Sequence, residues 1–159
     1  MKNDEIKILR AEIQSDLDDL ETVVGEITEI AEEIQSSDGK PTRRDMAALG
    51  SFVHSLYNGI ENILKRVSRE IDGSVPRGES WHRALLKRAG QEIPEQRPPI
   101  LRESTVENLK PYMGFRHFFR HSYAFEIDWE KLKPLVKKAG PVLAGFREDI
   151  ESFFSEYLS

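Results

Sequence analysis

Residues 5–34 read EIKILRAEIQSDLDDLETVVGEITEIAEEI. Within this stretch Ile6, Leu9, Ile13, Leu17, Leu20, Val24, Ile27, Ala31 and Ile34 recur at steps of three and four. That spacing places them on one face of a helix, because a strand would alternate every second residue. The positions between them are mostly Asp, Glu and other polar residues. The pattern predicts one long amphipathic helix over 3–35, which must bury its apolar stripe against other helices. Ser36, Ser37, Asp38 and Gly39 then stop it.

The same reading extends along the chain. Pro41 suits a first helical turn, and Leu49, Val53, Leu56, Ile60, Ile63 and Val67 form the stripe of a second helix running to about Ile71. Asp72–Glu79 (DGSVPRGE) is rich in turn formers. Ser80 opens a short helix, WHRALLKRAG, which Gly90 can end. Residues 91–102 hold Pro94, Pro98 and Pro99 and are expected to be extended and irregular. Ser104 and Glu107 match a capping box at the head of the next helix, which Pro111 and Gly114 should bend. Asp128 is expected to cap a last helical region reaching Leu158, with a bend or break at Gly140-Pro141. No stretch keeps a strand period, and no internal repeat is visible. The expectation is an all-α, up-down antiparallel bundle of four main helices plus a short one, in a single domain over 1–159.

Composition narrows the setting. The 159 residues include no cysteine, which removes disulfides and thiolate metal sites. No apolar run approaches the roughly 20 residues needed to cross a bilayer, and the charged N-terminus lacks a signal-peptide core. A soluble, cytoplasmic protein is expected, with no membrane attachment. Charge is segregated: residues 1–38 carry 12 acidic and 3 basic residues, whereas residues 81–120 carry 8 basic and 4 acidic ones, within a total of −5. Only the second segment offers the basic footprint that a nucleic-acid binder needs.

The chemistry-bearing stretch lies just beyond, at GFRHFFRHSYAFEIDW, residues 114–129. A neutral imidazole can take a ribose 2′-proton, and a charged one can protonate a leaving 5′-oxygen. A guanidinium offers fixed donors to a phosphate and to charge growing on it. Such a set can cleave RNA without a metal or cofactor, and no metal-ligating cluster is visible. Against this, aromatic and basic residues also alternate on ordinary half-buried helices. At about 100° per residue, Arg116 and His121 stand roughly 140° apart on an ideal helix. Either the helix tightens or ends near His121, or partner groups come from a second subunit.

Arg116, four residues, His121, one residue and Tyr123 together resemble the signature of the HEPN ribonucleases. The closest likeness is to the HepT-like toxins that pair with minimal nucleotidyltransferase antitoxins. The resemblance implies catalytic Arg116 and His121 in a cleft between two protomers; Arg120 and His117 beside them are read as RNA contacts. It also implies that the antitoxin attaches AMP to Tyr123. Position 117 is His, where relatives more often carry a small polar residue. His54 shares a helical face with Tyr57, Asn58, Glu61 and Asn62, read as a solvated or interface face. Trp81 and His82 are read as packing and capping residues. The resulting expectation is a homodimeric, metal-independent endoribonuclease that takes RNA as substrate and a nucleotidyltransferase-type antitoxin as partner. The alternative is a non-catalytic helical module that binds such a partner or a small ligand; a purely structural helical dimer is a third reading.

Overall fold

A computed structural model describes residues 3–159. The chain forms α1 (Asn3–Ser36), α2 (Arg43–Val67), α3 (Trp81–Ala89), α4 (Glu103–His121) and α5 (Trp129–Tyr157). Among the described residues there is no strand, only an isolated bridge between Ile93 and Arg97. The protein is an all-α helical bundle.

The apolar stripes fix the packing. Ile6, Leu9, Ile13, Leu17, Leu20, Val24, Ile27 and Ile34 of α1 are buried, as are Leu49, Val53, Leu56, Ile60, Ile63 and Val67 of α2. Cross-helix pairs give the register. Arg66 of α2 bonds Glu12 and Asp16 of α1, and Arg147 of α5 bonds Asp18 while Ser155 meets Arg10. Tyr112 of α4 donates to the Leu135 carbonyl, and Arg102 meets Asp149. Each pair runs in opposite chain senses, so α1, α2, α4 and α5 close an antiparallel four-helix ring. Phe146, Ile150, Phe153 and Phe154 of α5 fill its interior. No helix among the described residues is long and apolar enough to cross a membrane.

Three local expectations are corrected. Thr42, not Pro41, begins α2: its hydroxyl accepts from Asp45 N, and Asp45 accepts from Thr42 N, a reciprocal cap. The second helix reaches about Ile71 as expected, its last turn, Ser68–Asp72, being a wide π-helical one closed by Gly73 at φ 81°. The capping box at Ser104 and Glu107 does not form. Arg102 is the N-cap of α4, and the remote Asp149 carboxylate accepts from its backbone N at 3.0 Å. Finally, α5 runs unbroken through Gly140-Pro141. Pro134 and Pro141 stand on its exposed face, where carbonyls that lose their helical partner are solvated.

The proline-containing segment 91–102 acts as a clasp. Arg97 within it is 4% exposed, and its guanidinium holds Asp72 at 2.6 and 3.0 Å. The same guanidinium donates to the carbonyls of Gln91 and Pro98. Ile100 and Leu101 are buried beside it. The segment thereby ties the end of α2 to α3 and sets α3 against α4.

Candidate functional site

Arg116 projects from α4 toward α2 and α3, and its surroundings define the site. Asn58 Oδ1 accepts from its Nε at 3.2 Å, and Glu61 Oε1 lies 3.7 Å from the same nitrogen. Its Nη1 stands 3.4 Å from His82 Nε2. The other oxygen of Glu61 meets His82 Nδ1 at 2.8 Å. Glu61 is 3% exposed, so its charge is held in place by one guanidinium and one imidazole rather than by water. Trp81 stacks on His82 and lies under Lys65 Nζ, which fixes the imidazole plane from outside.

In front of this cluster lies a groove of about 560 Å³. Arg116, His117, Arg120 and His121 of α4 line one wall, and His82 and Arg83 of α3 line the other. On the helical wheel Arg116 and His121 stand at the margins of this wall, with Arg120 and His117 between them. The 140° separation therefore does not keep them apart: α4 ends at His121, and both residues border one groove of one chain. The rings of His117 and His121 stand 4.8 Å apart. Arg120 and His121 occupy the last turn of α4, where positive charge is favourable. A larger cleft of about 730 Å³ between α1 and α5 sets three carboxylates, Glu148, Glu151 and Glu156, against one cation, Arg10.

Beneath the groove His54 is packed rather than solvated. Its ring lies 5.1 Å from Phe119, and its Nδ1 is buried without a partner. Burial lowers its pKa below the usual histidine value, and the nearby charges of Arg116 and Arg120 lower it further. Tyr57, almost fully buried, has its hydroxyl pushed far up by burial and then by Glu61.

Tyr123 lies beyond the helix end and outside the groove lining. It is 71% exposed, its backbone N donates to Glu126 Oε1, and its ring stacks on Phe125, which is 72% exposed. Of the aromatics in residues 115–123, Phe115 is core and Phe119 is partly buried against it. Only Phe118 and Tyr123 are open, joined by Phe125.

Sequence reasoning missed Glu61 and His82. Glu61 has Tyr57, Asn58, Leu64 and Lys65 at helical spacing, so it reads as part of a mixed face. Neither residue left a signal, because the partners of each come from other helices.

A family model described as HepT-like protein matches residues 48–157. The chain belongs to the HepT-like family. No curated protein and no solved structure matches it. The matched residues contain every residue of the Arg116 cluster and of the groove, while the whole of α1 lies outside them.

Proposed function

We propose that this HepT-like protein is a metal-independent endoribonuclease of the HEPN kind, the toxin half of a toxin–antitoxin pair acting in the cytoplasm. The single observation that carries the reading is that Arg116 and His121 border one basic groove. Arg116 would hold the scissile phosphate, and His121 would protonate the leaving 5′-oxygen, a job for a group that titrates near neutrality. Arg120 and His117 stand between them as contacts for the RNA backbone. Exposed Phe118, Tyr123 and Phe125 form an apolar rim suited to a second copy of the chain or to the antitoxin.

Silencing follows from the exposure of Tyr123. A nucleotidyltransferase antitoxin can reach its hydroxyl, and AMP attached there would add negative charge beside the groove, opposing RNA phosphate. The deciding experiment is cleavage of RNA by purified protein in EDTA. The expected product carries a 2′,3′-cyclic phosphate, and His121→Ala is expected to be inactive. Strict dependence on added Mg²⁺ would refute the reading. Co-expression with the cognate nucleotidyltransferase, followed by peptide mapping, should find adenylate on Tyr123 and on no other residue.

A further inference from the structure

His82 has a geometry that packing alone does not require. Its Nδ1 faces Glu61 Oε2 at 2.8 Å, so Nδ1 carries the proton that the carboxylate accepts. Its Nε2 faces the Arg116 guanidinium at 3.4 Å. A guanidinium is an obligate donor, so a proton on Nε2 would set two donors against each other. Nε2 therefore carries the lone pair, which accepts from Arg116 Nη1 and is held in orientation by the buried carboxylate behind the ring and by Trp81 beside it. This lone pair points at the one side chain best suited to hold a phosphate, in a groove that also contains His121.

We propose that His82 is the general base of the cleavage reaction and His121 its acid, so that one protomer carries both imidazoles. The inference rests on the endoribonuclease reading above. A phosphate that takes over the Arg116 Nη1 donor releases the Nε2 lone pair and brings its ribose 2′-hydroxyl beside it. The 2′-proton passes to Nε2 as the 2′-oxygen attacks phosphorus. The P–O5′ bond breaks, and the departing oxygen takes the proton of the His121 imidazolium. The products are a 2′,3′-cyclic phosphate and a 5′-hydroxyl, and proton exchange with water restores both histidines. Glu61 is a positioning residue: it fixes the tautomer and steadies the imidazolium that forms, the role of the carboxylate behind a catalytic histidine.

The test compares wild type, His121→Ala and His82→Gln on a ribonucleotide substrate and on its analogue with a 5′-bridging sulfur, whose leaving group needs no acid. A Gln at 82 can still accept from Arg116, so it preserves positioning while removing the base. His121→Ala should lose cleavage of the ordinary substrate and regain it on the sulfur analogue. His82→Gln should lose about 10²-fold or more in kcat on both substrates, with KM changed little. In its pH profile the rise on the acid side should vanish while the fall on the alkaline side remains. Groups facing His82 are Glu61 and Lys65 from α2 and Arg116, His117, Arg120 and His121 from α4, with Glu79 and Arg83 in its own segment. Glu61→Gln should lower kcat yet keep the acid-side rise, which separates the imidazole from its anchor.

Wild-type kcat in His82→Gln, or its rescue by the sulfur analogue, overturns the assignment of the base and leaves the ribonuclease reading standing. Absence of cleavage by the wild type overturns both. Circular dichroism checks that each variant is folded. His82→Asn, read by the same two substrates, replaces the Gln variant if that one does not fold.

Discussion

The Glu61 carboxylate stands 3.7 Å from the Arg116 guanidinium while almost wholly shielded from water. One acidic side chain of α2 thus fixes the arginine of α4, and through its other oxygen the histidine of α3. Three helices meet at a single carboxylate. Replacing it with Leu would leave the guanidinium and the imidazole without their partner. The expected cost is about 1–3 kcal/mol, that of stranding buried polar groups. It should show as a lower urea midpoint at unchanged slope. An unaltered midpoint would mean that the carboxylate does not anchor the three helices.

Arg116 and Arg120 line the same groove, but only Arg116 is held at its back by Glu61, Asn58 and His82. A pre-oriented guanidinium contributes more to a developing charge than a mobile one. Arg116→Ala is expected to lower kcat by about 10²–10³-fold, and Arg120→Ala by clearly less. Steady-state cleavage of a short RNA measures both, and the reverse ranking would shift the phosphate site toward the helix end.

His54 links stability to pH. Its pKa in the folded protein lies below the ordinary 6.5 because of burial, with Arg116 and Arg120 adding to it. Above that ordinary value both folded and unfolded chains carry it neutral, and it has no effect. As pH falls below it, the unfolded chain takes up the proton first, so the fold loses stability until the folded-state pKa is passed. Thermal unfolding between pH 7.5 and 5 should therefore show a smaller acid loss for His54→Leu than for wild type. Equal losses would place the acid sensitivity elsewhere.

Gly59 of α2 lies against Leu20 of α1. A Cβ there would overlap the side chain of Leu20, which is only 6% exposed. Alanine gains about 1 kcal/mol in helix propensity over glycine, but overpacking a tight contact costs about 1–3 kcal/mol. Gly59→Ala is expected to be net destabilising by denaturant titration. A more stable variant would show that the two helices separate without penalty.

Phe118, Tyr123 and Phe125 are exposed near the end of α4. Light scattering at micromolar concentration is expected to give a dimer. The double variant Phe118→Asp/Phe125→Asp should give a helical monomer, because charge in an apolar contact opposes its burial. A wild-type monomer would assign the rim to another partner.

The sequence by itself determined the fold class and the main helices. The stripe beginning at Ile6 and the one beginning at Leu49 are unbroken, so their period survives any choice of neighbours, and Asp128 caps α5 as its side chain dictates. It also placed Arg116 and His121 on one helix, because that relation is local. What the tertiary structure decided are relations between distant parts of the chain. Asp149 replaces the local cap expected at Ser104, and the fold's water-free end of α2 makes Arg97 a clasp. Glu61, His82 and Arg116 form a cluster because α2, α3 and α4 converge there. Sequence spacing records which residues share a helical face. It carries no record of which face of another helix, 21 or 55 positions away in the chain for Glu61, folds against it, and there the chemistry of the site was settled.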